Sequence, residues 1–222
     1  MSWDQTWEAI YQTRGCNRYP SEEVIGFIMR HFSKVPDRKQ VKILEIGCGQ
    51  GANLSFLARE GFDAYGIDGS KTAIEKSKEM LKADGLNAHL QVGDFVELDK
   101  FYPPLKFDAI LDKNSLQHNS MDAMQRILDQ VWSLLTPQGA VFSMMMQAGT
   151  YGDGSGQPAG VRAYRNIEEG HLKGWGFIQF CTLEDVQSLY RRFAHVRIEE
   201  FHRSFDGRRH WAKVCVIQGR KG

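Results

Sequence analysis

The run Glu45-Ile46-Gly47-Cys48-Gly49-Gln50-Gly51 concentrates glycine behind a carboxylate, and further acids follow at Asp68, Asp94 and Asp112. Residues without side chains let a ligand lie against backbone. Gly47, Gly49 and Ala52 satisfy the dinucleotide pattern G-x-G-x-x-G/A, with Asp68 in the range of a ribose acid. By itself the loop therefore leaves open both a dinucleotide site and a tight turn that holds nothing. Two histidines, His118 and His171, are the candidates for moving a proton. The cysteines Cys16, Cys48, Cys181 and Cys215 form no C-x-x-C pair and no metal-ligand spacing, so neither a zinc site nor a disulfide framework is expected.

The elements that must carry these residues alternate. Val41 to Ile46, Ala64 to Ile67, His89 to Val92, Phe107 to Leu111 and Ala140 to Met146 are short β-rich runs. Between them lie helical stretches, one opening at Ser70 and one at Ser120, a rhythm that predicts a parallel sheet covered on both faces. Thr136-Pro137-Gln138-Gly139 reads as a turn, and Gly149 to Gly160, with its glycines and a proline, as a loop without regular structure. Thr182-Leu183-Glu184-Asp185 has a capping-box pattern ahead of one more helix. Val196 to Phe201 and Trp211 to Ile217 close the chain as a hairpin about Asp206-Gly207. Two helical stretches precede the sheet, one bearing Trp3, Trp7, Ile10 and Tyr11, the other starting at Pro20-Ser21.

Three features beyond the glycines make residues 41 to 146 resemble the class I S-adenosylmethionine-dependent methyltransferases of small-molecule type. Glu45 stands before the glycines, where a carboxylate suits an ammonium and a sulfonium and would repel a pyrophosphate. Gly93-Asp94-Phe95 follows the third strand. Phe107 to Asp112, then Leu116 and His118, then Leu134 to Gly139 match the family's fourth-strand segment, helix and L-x-P-x-G turn. The resemblance implies an α/β three-layer sandwich with a seven-stranded, mostly parallel sheet of order 3-2-1-4-5-7-6, the last strand antiparallel, under an amino-terminal helical cap. It also implies that Gly47, Cys48 and Gly49 lie along the methionine part of S-adenosylmethionine. Asp68 and Gly69 would meet the ribose, Asp94 and Phe95 the adenine, and the backbone at Asp112 and Lys113 the methionine. Asp112-Lys113 departs from the family's usual pair in being more charged.

Methyl transfer is an in-line displacement, so the protein's tasks are to align the acceptor and exclude water. A base helps only an acceptor that must lose a proton, and His118 and His171 are placed for that role. Tyr11, with Trp3, Trp7 and Tyr19, would cover the sulfonium, and Arg18 would pair with the cofactor carboxylate. The blander reading of Trp7 and Tyr11 is the buried stripe of a packed helix. Tyr151, Arg162, Tyr164, Arg165, His171 and Trp175 suggest an anionic or sugar-like acceptor, methylated on oxygen, and a solvated loop explains them nearly as well. The expected division of one domain is a cap over 1–36, a cofactor core over 41–146, an acceptor segment over 147–181 and an edge unit over 182–222.

Composition limits the partners. With 28 Lys+Arg against 27 Asp+Glu and a net charge of +1 in 222 residues, no chain-wide field draws in nucleic acid. No apolar run reaches the ~18 residues a bilayer span needs, and the start of the chain lacks a secretory pattern, so a cytoplasmic protein, monomeric or homodimeric, is expected. Arg191 to Gly222 holds seven Arg and two Lys against two Glu and one Asp, which admits an RNA or protein methyltransferase with a basic edge. A protein that binds the cofactor without turnover is the remaining alternative.

Overall fold

The computed structural model describes residues 3–13, 15 and 17–222. Helices α1 (Thr6–Thr13) and α2 (Glu22–Phe32) precede β1 (Lys42–Ile46), α3 (Ala52–Arg59), β2 (Asp63–Asp68), α4 (Lys71–Ala83) and β3 (His89–Val92). Then come α5 (Leu98–Phe101), β4 (Phe107–Lys113), α6 (Met121–Leu134) and β5 (Leu135–Met146). The chain continues through β6 (Gln157–Gly160), β7 (Ala163–Arg165), β8 (Ile178–Gln179), α7 (Leu183–Leu189), β9 (Ala194–Phe205) and β10 (His210–Arg220).

The large sheet has the order β3-β2-β1-β4-β5-β10-β9. Counting only its own strands, this is the expected order, with β10 antiparallel to both neighbours. Its central strands β1 and β4 are buried on both faces, which is why Ile43 and Leu44 are adjacent and both apolar. Leu44 and Ile46 join the core under α5, α6 and α7. Ile43, Phe142 and Met144 join the core under α2, α3 and α4. Ser21, Ser70 and Ser120 each accept a helix-opening amide, and Thr182 with Asp185 forms the reciprocal box.

Three details differ from the sequence reading. The predicted turn over Thr136 to Gly139 lies inside β5, where Gln138 takes a left-handed φ of 62° and the register to β4 shifts between Phe107 and Ala109. The glycine-rich stretch is not wholly irregular, because Gln157–Gly160 pairs with Ala163–Arg165, which pairs in turn with Ile178–Gln179. Pro158 is tolerated there because β6 is an edge strand. The hairpin strands also run further than expected, joined where Asp206 and Gly207 both take positive φ.

Candidate active site

A cavity of about 330 Å³ opens at the carboxyl ends of β1, β2 and β4, beneath α1. Its floor is the turn from β1 to α3. Gly47 is left-handed, φ 63°, and a Cβ there would fall within the Ser115 side chain, whose hydroxyl donates to the Gly47 carbonyl at 3.1 Å. Gly49 is also left-handed, φ 52°, and the Tyr11 hydroxyl stands 2.7 Å from where its Cβ would be. Both glycines are therefore required by close approach as well as by backbone angle.

The acids are held by backbone. Asp68 accepts from the Gly49 amide and from the Ser70 amide, each at 2.8 Å, which fixes the loop to the end of β2. Asp94 accepts from the Val96 amide at 3.0 Å and opens the turn that carries Phe95. Glu45 is sealed beneath the loop, where its Oε1 accepts from the Asn53 amide at 2.6 Å and its Oε2 has no hydrogen-bond partner. Burial pushes Glu45 up to about 8, opposed by Asn53 and Lys113. Burial also raises Asp68 to about 6.

His118 stands in the far wall. Its Nδ1 meets the Phe177 carbonyl at 2.8 Å, which makes Nδ1 the protonated nitrogen and leaves Nε2 a lone pair. Nε2 is buried without a partner, because the Trp7 ring lies 4.6 Å away at its edge and Trp175 packs 5.7 Å from the imidazole. Burial pushes the imidazole down to about 4, against the Phe177 and Asn114 carbonyls and the Asp4 carboxylate. It is neutral at pH 7.

Of the expected residues, Tyr11, Glu45, Gly47, Cys48, Gly49, Asp68, Asp94, Phe95, Lys113 and His118 line this one cavity, as do Trp3, Trp7, Tyr19 and Trp175. Four do not. Arg18 points away to Asp84, at 2.6 Å, because that carboxylate already gathers Arg59. Gly69 is covered by the Trp3 indole. The Asp112 side chain is sealed below the wall, where Oδ1 accepts from the Ser115 and Leu116 amides at 2.9 Å each, and burial raises it to about 7. His171 lies outside the cavity, stacked on Phe205 at 5.4 Å. The expected acceptor set disperses likewise. Tyr151 stacks on His210 at 3.8 Å, Tyr164 packs 6.2 Å from Phe180, Arg162 pairs with Asp185 and Arg165 with Asp4.

Asn53, Gln50, Asn114 and Asn119 were not singled out by spacing, yet they line the cavity. The need of a buried Glu45 for a donor was the one signal for Asn53. Cys48, Cys181 and Cys215 are free thiols, and Cys16 lies outside the described residues. Among the described residues no cluster could hold a metal ion, and no helix is long and apolar enough to cross a membrane.

The donor set discriminates between cofactors. A pyrophosphate here would face Glu45, Asp68 and Asp94 with Lys113 as the one Lys or Arg among the described lining residues. An ammonium would instead satisfy the orphaned Glu45 Oε2. S-adenosylmethionine fits these residues.

The methyltransferase domain model matches residues 37–151, over half of the chain. A ubiquinone biosynthesis O-methyltransferase of Pelagibacter ubique is 36% identical over 107 residues, covering 47% of this chain and 42% of that protein. A glycine/sarcosine/dimethylglycine N-methyltransferase of Actinopolyspora halophila is 27% identical over 137 residues, covering 60% of this chain and 23% of that one. The chain spans less than half the length of these curated relatives. Other relatives are named for lysine or ribosomal RNA methylation. Among solved structures, the 1,6-didemethyltoxoflavin N1-methyltransferase of Burkholderia thailandensis, with S-adenosylhomocysteine bound, superposes at a TM-score of 0.63 with 18% identity, covering 90% of this chain and 77% of that one. By its matched domain, its sheet and the chemistry of its glycine loop, the chain belongs to the class I S-adenosylmethionine-dependent methyltransferases.

Proposed function

We propose that this methyltransferase modifies a small molecule on oxygen, with His118 as the base. The observation that carries the reading is the fixed tautomer of His118, whose Nδ1 is committed to Phe177 while Nε2 is held in the cavity wall without a partner. S-adenosylmethionine, when bound, supplies an electrophilic methyl group on sulfur. Gly47 and Gly49 would accommodate its amino-acid part, Asp68 its ribose hydroxyls, and Asp94 with Phe95 its adenine. Trp7 closes over His118 at its edge, so the acceptor must displace that indole to give its proton to Nε2.

The acceptor wall is aromatic and amide in character. Trp7 and Trp175 pack at 5.3 Å, with Asn114 and Asn119 beside them. The cations on which an anionic acceptor would rest, Arg162 and Arg165, are paired and line no part of the cavity. A flat, uncharged, hydroxylated acceptor suits this wall best. The wall is shared, because the cap over 1–36 contributes Trp7 while the segment over 147–181 contributes Trp175. The basic hairpin occupies the sheet edge, with β5 and β10 between β9 and β4, which places it poorly for presenting a macromolecule to the cavity.

Titration with S-adenosylhomocysteine, with NADH in parallel, tests the cofactor. Micromolar binding lost in Asp68→Ala is expected, and binding of NADH alone would sink the reading. A panel of catechols and hydroxyquinones run against sugar phosphates then tests the acceptor. On the accepted substrate, His118→Gln should lower kcat ~10²- to 10⁴-fold with cofactor affinity unchanged. An unchanged kcat would remove the base.

A further inference from the structure

Gly69 follows the acid at the end of β2, and its missing side chain has a visible use. A Cβ built on Gly69 would lie inside the indole of Trp3, against Nε1, Cδ1 and Cε2. The ring therefore rests on the Gly69 Cα at a distance no other residue type would allow. No hydrogen bond or ring stack among the described residues holds the indole elsewhere, so this seat is what positions it.

The segment that follows Trp3 is tied down. Asp4 accepts from the Phe177 amide at 2.8 Å, from the Thr6 amide at 3.0 Å and from Arg165 at 3.1 Å. One turn further on, Glu8 accepts from the Ser70 hydroxyl at 2.6 Å, directly beside Gly69, and from the Thr72 hydroxyl. Trp3 is thus delivered to the end of β2 by contacts that do not involve its own ring.

What the ring faces is the cavity. Trp3 lines it together with Asp68, Asp94 and Phe95, and no ring contact joins Trp3 to Phe95. Two separate aromatic faces beside two acids that accept hydroxyl or amino hydrogens describe a place for a planar, hydrogen-bonding ring.

We infer that Trp3 is a cofactor-binding residue whose indole, seated on Gly69, forms a stacking wall for the purine base of the cofactor. The assignment rests on the cavity being the S-adenosylmethionine site. It makes the amino-terminal segment part of the nucleoside site and gives Gly69 an indirect role, through the ring it seats.

Calorimetry on the full chain tests this, using S-adenosylhomocysteine and methylthioadenosine, which shares the base and lacks the amino-acid part. Trp3→Ala should weaken both ligands about tenfold, within the range of base–aromatic stacking, and Trp3→Phe should recover most of the loss. Gly69→Ala, which unseats the ring, should weaken both to a similar extent, and the double variant should be no worse than either single one. Trp3→Ala with wild-type affinity would overturn the assignment, as would a loss confined to S-adenosylhomocysteine, which would put Trp3 at the amino-acid end. Wild-type protein that binds neither ligand would overturn the cofactor site itself, a separate result. Thermal midpoints for each variant confirm that the folded chain is being compared.

Discussion

At the residue scale the most informative group is Glu45. It is sealed under the glycine loop with one oxygen unpartnered, and burial holds it at about 8 against an ordinary 4.5. Between those values the folded protein keeps a proton that the unfolded chain has lost, so Glu45 lowers stability as pH rises through the window. Asp112, raised from 3.8 to about 7, acts in the same sense. His118 acts in the opposite sense, since its fall from 6.5 to about 4 makes stability rise with pH between those values. Above pH 6.5 only the carboxylates remain, so the ligand-free melting temperature should fall from pH 6.5 to 8, and Glu45→Gln should flatten that slope. An ammonium placed against Glu45 requires the ionised carboxylate. S-adenosylhomocysteine binding at pH 7 should therefore release about one proton, seen as a heat that depends on the buffer's ionisation enthalpy. Buffer-independent heat in the wild type would contradict the placement, and Glu45→Gln should abolish the dependence.

At the scale of elements, α1 is attached largely by polar contacts rather than by a fully buried core. Helix α1 buries no residue completely, and its hold on the rest of the chain runs through Asp4, Glu8 and the Tyr11 carbonyl, which accepts from Lys76 at 2.5 Å. Asp4 is the clasp, because it joins the start of α1 to the Phe177 peptide, whose carbonyl in turn orients His118. Gly176 permits this, since a Cβ there would overlap the Asp4 carboxylate. Asp4→Ala should cost about 1 kcal/mol for each amide bond lost and speed hydrogen exchange at Thr6 and Phe177, leaving β1 and β4 amides protected. Uniform exchange across the chain would show a global rather than a local effect. Helices α2, α4, α6 and α7 are legible in the sequence because their signals are local: a serine cap, an apolar stripe, a capping box; the short α5 carries none of these and is not legible there. Strands β6 and β7 are not legible either, since Gln157–Gly160 is a strand only by virtue of a partner that no spacing rule identifies.

At the scale of the molecule, the sheet separates two cores. Phe142, fully buried in β5, packs 5.1 Å from Phe27 of α2, so one substitution links the sheet to the cap side. Phe142→Ala should destabilise the fold by ~3–5 kcal/mol, measured by urea denaturation. A loss below about 1 kcal/mol would mean that the two layers are not cooperatively joined. At the outer edge, β9 carries Arg197, Glu199, Glu200 and Arg203, charges that discourage pairing with another sheet.

The sequence by itself determined the alternation of strands and helices, the glycine turn and the acids at the strand ends. Each of these is set by backbone geometry within a few residues: Gly47 and Gly49 need positive φ, and Asp68 and Asp94 bond amides one or two positions away or in the adjoining turn. Tertiary structure decided which charges remain available to a ligand. Arg18, Arg162 and Arg165 read as ligand-binding cations in the chain, and each is neutralised by a carboxylate from a distant element. It also decided that His118 faces the cavity while His171 stacks on the hairpin, and that Trp3 sits on Gly69. These outcomes depend on pairs of residues brought together by packing, and one-dimensional spacing carries no information about such pairs.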